Sequence, residues 1–167
     1  MKMPTIPMQI RPATDAHHVA VLAIVAPVLA AGDTYAIARD LDNAGVFSYW
    51  FGPTHEVFVA EDDGVLLGTY YLMANQAGGG AHVANCGYMT APAAQGKGIA
   101  RAMCEHSLVR ARQRGFRAMQ FNHVVSTNIR AVALWQKLGF AIVGTLPQAF
   151  NHPAHGYVDS YVMFRTL

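Results

Sequence analysis

Residues 82–101 read HVANCGYMTAPAAQGKGIAR, a strand-like stretch that runs through glycine, lysine and glycine straight into a helical pattern. From Ile99 onward Ala100, Cys104, Leu108 and Ala111 share one helical face, and Arg101, Glu105 and Arg112 share another. A helix begun this way leaves its first N–H groups without internal partners, at the positive end of its macrodipole. Glycines remove the side chains that would block a close approach, so a phosphate or pyrophosphate is the natural occupant. Strand, glycine-led helix and following strand make an α/β unit with its ligand site at the crossover.

The rest of the chain extends that unit on both sides. Residues 6–11 read as a first strand, and Thr14 or Asp15 caps an apolar, proline-kinked helix over 19–31 that ends near Gly32. A second helix is expected over 36–50, holding Ile37, Leu41 and Phe47. Strands over 55–62 and 65–74 flank a hairpin turn at Asp62-Asp63-Gly64, and 76–80 form a flexible loop before the strand over 82–90. After Gly115 come a strand over 116–125 and a helix capped by Ser126 or Thr127, with the apolar stripe Ala131, Leu134, Trp135 and Leu138. Gly139 stops it, and strands over 140–147 and 156–167 close the order β-α-α-β-β-β-α-β-α-β-β.

Several function classes are disfavoured. Of the 167 residues 53% are apolar and 13% charged, so a single globular domain with a generous core is expected, not a disordered chain. A net charge of +2 without a basic run gives no footprint for nucleic acid. Residues 19–31 are too short and too proline-broken to span a membrane, and they start too late for a signal core. Cys86 and Cys104 have neither zinc spacing nor a disulfide framework, which makes a cytoplasmic setting the default. His152 and His155 lack companions for a metal site, so no metal is expected.

Three phosphate-binding patterns compete for the glycine turn. A Walker loop fails twice, because position 91 is alanine and Gly98 follows Lys97. The dinucleotide fingerprint would need a third glycine where Arg101 stands. The pattern Q/R-x-x-G-x-G/A is met at every fixed position by Gln95-Gly96-Lys97-Gly98-Ile99-Ala100.

That last pattern resembles the GNAT superfamily of acyl-CoA-dependent N-acetyltransferases. Asn128 through Phe140, NIRAVALWQKLGF, is similar to the family's N-x-x-A-x-x-L-Y-x-x-x-G-F helix, and the expected strand lies between the two motifs. The resemblance implies an α/β (α+β) fold with a mixed central sheet, one domain over 1–167, and acetyl-CoA as co-substrate. It implies that the backbone amides of Gly96, Lys97, Gly98, Ile99, Ala100 and Arg101, behind Gln95, bind the CoA pyrophosphate. Tyr88, Met89 and Thr90 would pair their main chain with the pantetheine arm, one of their amides polarising the thioester carbonyl. Asn128 would hydrogen-bond the arm; alone it reads as a plain helix-start residue, and the double motif turns that reading toward the cofactor.

One position departs from the pattern. The family often has a tyrosine, credited with protonating the leaving thiolate, where this chain has Trp135. An indole N–H is only a donor, so the acid role does not transfer, and Trp135 reads as a core residue with CoA packing as a secondary role. A thiol of pKa about 8.5 leaves tolerably as thiolate without an acid. Glu105 reads as a solvated partner of Arg101 or Arg112. His82 and His123, on strands flanking the cleft, titrate in a useful range but read as ordinary strand histidines. Cys86 has no base placed beside it.

The shortage of carboxylates in this half argues against polycationic acceptors and for a small neutral or anionic amine. A closer resemblance agrees: GDTYAIARDL, GVFSYWF, LLGTYYL, HVANCGYMT and FNHVVSTN are similar to segments of the N-acetyltransferases that detoxify the proline analogue azetidine-2-carboxylate. That resemblance implies that Asn85 and Asn122 hold the acceptor, orienting rather than deprotonating it. Transfer to a protein N-terminus or ribosomal protein, and a non-catalytic acyl-CoA-binding module, stay as alternatives. The aromatic run at 47–51 reads as exposed, which makes a homodimer the expectation.

Overall fold

The computed structural model describes residues 8–167. Its strands and helices follow the expected order: β1 (Gln9–Pro12), α1 (His18–Ala31), α2 (Asn43–Trp50), β2 (Glu56–Asp62), β3 (Val65–Ala74), β4 (Val83–Thr90), α3 (Ile99–Gln113), β5 (Ala118–Val125), α4 (Ile129–Lys137), β6 (Ala141–His152) and β7 (Gly156–Thr166). Residues 6 and 7 of the expected first strand lie outside the described residues. The strands form one mixed sheet ordered β1-β2-β3-β4-β5-β7-β6, in which only β4 and β5 run parallel.

Strand alternation sorts the side chains onto two faces. Phe58, Tyr70, Leu72, Cys86, Met119 and Phe121 pack against α3 and α4, with Met103, Leu108 and Trp135 among the buried helix residues. Val57, Val59, Tyr71 and Met89 pack on the other face against Val21, Val25, Leu29, Val46 and Trp50 of α1 and α2. The buried Trp50 and Thr69 on that second face are partnered: Trp50 Nε1 donates to Thr69 Oγ1 at 3.1 Å, which donates to the Phe58 carbonyl at 2.8 Å.

Four local expectations are corrected. The second helix starts at Asn43 rather than 36, because Asp42 turns out of helical geometry and caps it by accepting from Gly45 N at 2.8 Å. The run at 47–51 is not an exposed patch: Trp50 is fully buried, Tyr49 Oη lies 3.1 Å from Tyr71 Oη, and Phe47 stacks on Phe51 against His18. Phe47, Tyr49 and Phe51 are each partly buried by these contacts. Residues 76–80 end in a 3-10 turn over Gly78–Gly80. The sixth strand continues past Pro147 to His152, since β6 is an edge strand and a proline there forfeits no ladder bond.

Candidate active site

β4 and β5 are joined only where Val83 meets Ala118 and Ala84 meets Met119, and beyond that the parallel ladder stops. The next link is a side chain: Asn85 Nδ2 donates to the Gln120 carbonyl at 2.9 Å. Further along, the strands part. A bulge in β5 between Phe121 and Val124 turns that strand away, leaving Asn122 and His123 exposed.

Strand parity decides which backbone groups line the opening. Asn75 N donates to Val83 O and Ala91 N to Leu67 O, each at 2.8 Å, so the odd-numbered residues of β4 spend their amides and carbonyls on β3. Cys86, Tyr88 and Thr90 therefore point theirs into the split, and Met89 does not. The expectation that all of Tyr88, Met89 and Thr90 offer main chain there is corrected at Met89, whose backbone faces Thr69. Tyr35 supplies an independent check on the parity, since its Oη donates to the outward Tyr88 carbonyl at 2.8 Å.

Below the split, on the α3/α4 face, three aromatic rings bridge the parted strands. Trp135 lies 5.2 Å from the Tyr88 ring and 5.1 Å from the Phe121 ring, and Phe121 stacks on Phe140 at 4.4 Å. Trp135 is thus a wedge that holds β4 and β5 together where hydrogen bonds no longer do. Tyr88 Oη is buried 2.7 Å from Ser107 Oγ, and burial pushes its phenol well above the ordinary range.

At the mouth of the split, α3 starts from Gly98 at φ 78°, behind Gly96 at φ 76°. Both lie in the left-handed region that side chains resist, which is why glycine stands at each. No side chain caps the helix and its first turn holds no acid. Gln95, Lys97 and Arg101 are exposed around it, Ala100 is half-buried, and Ile99 is buried as the helix's first core anchor. The free amides and the open space beside both glycines fit a pyrophosphate.

Asn128, not Ser126 or Thr127, caps α4, with its Oδ1 accepting from Ala131 N at 3.4 Å. Asn85 and Asn122 stand on the α1/α2 side of the sheet near Gln120. Asn122 Nδ2 donates to Asn75 Oδ1 at 2.7 Å, and Asn122 Oδ1 accepts from Gln120 Nε2 at 2.9 Å. Tyr71 crosses Gly87 on this face so closely that a Cβ there would fall 2.6 Å from its ring.

The other candidates have structural uses. His82 precedes the joined end of β4, away from the split, and His123 is exposed in the bulge. Glu105 pairs with Arg101 at 3.0 Å on the outer face of α3. Cys86 is buried and burial pushes its thiol far up, which suits a core residue and not a nucleophile. His152 Nδ1 accepts from Ala154 N at 3.0 Å inside a turn. Among the described residues no group of three or more His, Cys, Asp or Glu is placed to hold a metal. No described helix is long and apolar enough to cross a membrane. Tyr35, Tyr49 and Tyr71, whose phenols gather beside β4 from a loop, α2 and β3, were not singled out as site residues, because no spacing along the chain links them.

A parallel strand pair that splits beside a glycine-led helix defines an acyl-CoA type of transferase fold. Residues 29–140 match the model of the acetyltransferase (GNAT) family, and the chain belongs to that family. It is similar to a GCN5-related N-acetyltransferase from Kribbella flavida, with 46% identity and a TM-score of 0.91 over 96% of this chain and 98% of that one. The N-acetyltransferase aca1 of Schizosaccharomyces pombe is 37% identical over 98 residues, 58% of this chain. The matched segment spans 47%, about half, of that relative's length. The protein yncA of Salmonella typhimurium, solved with its cofactor acetyl-CoA, shares the fold at 24% identity, with a TM-score of 0.83 over 96% of this chain and 94% of that one.

Proposed function

We propose that this chain is an acetyl-CoA-dependent N-acetyltransferase acting on a small neutral or anionic amine, an amino acid or proline analogue among them. The observation that carries the reading is the split between β4 and β5, lined by outward backbone groups and led into by the open helix start at Gly98. Acetyl-CoA supplies an acyl group activated as a thioester. Its pyrophosphate would rest on the amides at the start of α3, and Asn128 would contact its arm. Trp135 would support the arm from below. The outward amides of Cys86, Tyr88 and Thr90 are the donors available to that arm and to the thioester oxygen.

The amine nitrogen bonds to the acetyl carbon, the C–S bond breaks, the surplus amine proton passes to water, and the thiolate leaves with the electron pair. The only side-chain carboxylate between residues 64 and 158, Glu105, is engaged on the outer face of α3. The amine therefore reacts as its neutral form, held beside the thioester by Asn85 and Asn122. Orientation supplies most of the help, as it can when reacting atoms are held at roughly 3–3.5 Å.

Charge class is the experimental discriminator. Thiol release from acetyl-CoA is measured against amino acids, azetidine-2-carboxylate and proline analogues, polyamines and aminoglycosides. The reading predicts turnover with carboxylate-bearing amines above polycations. The reverse ranking, or labelling of a lysate protein while the whole panel stays silent, would overturn the acceptor assignment.

A further inference from the structure

Tyr35 stands in the loop between α1 and α2, yet its hydroxyl reaches 53 residues along the chain to the carbonyl of Tyr88. That carbonyl faces the split, so the phenolic oxygen sits at the split's edge on the acceptor side. Its proton is committed to Tyr88 O at 2.8 Å. A hydroxyl has one proton and two lone pairs, so a pinned one presents only acceptor character to anything else.

Neighbouring groups fix this arrangement. Tyr35 meets Trp50 edge-on at 6.5 Å, and Trp50 meets Tyr71 at 5.0 Å and Tyr49 at 6.2 Å. Burial pushes the Tyr35 phenol far above its ordinary range, and the nearby Tyr49 opposes its ionisation further. The hydroxyl therefore stays protonated and its proton stays on Tyr88. The N–H and C=O of Tyr88 point the same way by strand parity, so an acyl oxygen held by that N–H places its carbon beside the Tyr88 carbonyl and Tyr35 Oη. A nitrogen attacking that carbon arrives next to a fixed lone pair.

We infer that Tyr35 is an acceptor-binding residue, its pinned hydroxyl oxygen accepting an N–H of the incoming primary or secondary amine and turning the nitrogen lone pair toward the thioester. This rests on the N-acetyltransferase reading above and adds a residue to the acceptor site.

Tyr35→Phe tests it, because the ring and its packing remain and only the oxygen is lost. With the best amine of the panel, KM for the amine should rise at least tenfold and kcat/KM fall at least as much. Binding of CoA itself, followed by titration calorimetry, should stay within twofold. An unchanged kcat/KM would overturn the inference while leaving the N-acetyltransferase reading intact. So would a loss of CoA affinity as large as the loss in kcat/KM, since the hydroxyl would then merely shape β4. If the wild-type protein releases no thiol with any amine, the functional reading itself fails and this inference falls with it.

Discussion

Asn85 Nδ2 donates a 2.9 Å hydrogen bond to the carbonyl of Gln120 across the point where β4 and β5 stop pairing. One side chain therefore replaces the next rung of the ladder and fixes where the split begins. Its Oδ1 accepts from no protein donor among the described residues, which leaves an acceptor facing the α1/α2 side. The structural hinge is thus the same residue that is proposed to contact the amine.

Asn85→Ala should show both uses. Gln120 O loses its donor, at a stability loss of about 1–3 kcal/mol for a half-buried carbonyl left without one. Thermal unfolding reads that loss, and kcat/KM for the amine should fall more than tenfold. Asn122→Ala removes an exposed residue, so its melting point should hold while KM for the amine rises. Wild-type turnover in both variants on every accepted amine would remove the asparagines from the site.

Gly98→Ala forces a side chain into φ 78° at the start of α3. Nothing stands within 4 Å of the added Cβ, so the penalty is conformational, about 1–2 kcal/mol. If the helix mouth relaxes to relieve it, CoA affinity should drop roughly in proportion, by about tenfold. Calorimetric titration with CoA checks this, and undiminished affinity would detach the loop from the cofactor.

Trp135 gives a pair of contrasting variants. Trp135→Ala empties the wedge under the split and should destabilise the fold by about 3–5 kcal/mol in denaturant titration. Trp135→Tyr restores a phenol at the family's tyrosine position. A general acid contributes about a hundredfold or more where the chemistry needs one. With thiolate leaving unaided, kcat for Trp135→Tyr should stay within a few-fold of wild type.

The buried thiols set a pH limit. Burial pushes the Cys104 thiol from 9.0 up to about 11, against smaller lowering contributions from hydrogen bonds to Tyr88 and Ser107. The native state keeps that proton at pH values where the unfolded chain has released it, so stability is full below about pH 9 and falls as pH rises toward 11. At pH 8 a thiol of pKa about 11 is roughly a hundredfold less ionised than an ordinary one, so native labelling by a thiol reagent should lag the unfolded protein by at least that factor. Rapid native labelling of both cysteines would contradict this burial.

Much of the scaffold was legible in the sequence, because periodicity and glycine stops report local geometry directly. Gly98 and Gly139 ended or began elements where their spacing indicated. Residues 36–42 misled because Ile37 and Leu41 stand four apart, one helical turn, while Asp42 caps the helix that starts after them. Pro147 suggested a stop, yet an edge strand tolerates it, and Gln148 at φ 50° carries the local irregularity with its N–H on Asp159 Oδ1. On the proposed acceptor side, sequence resemblance singled out Asn85 and Asn122. Tyr35 was not singled out, since its position in the site depends on one contact between an aperiodic loop and a distant strand.

In the proposed reaction the split between β4 and β5 brings acetyl-CoA and an amine together for direct transfer. The most direct measurement follows CoA thiol release and acetylated product together, by mass spectrometry, with and without the amine. One free thiol per acetylated amine is expected, and negligible thiol in the amine's absence. Saturable acetyl-CoA binding with no amine-dependent thiol release would contradict it and leave an acyl-CoA-binding module in its place.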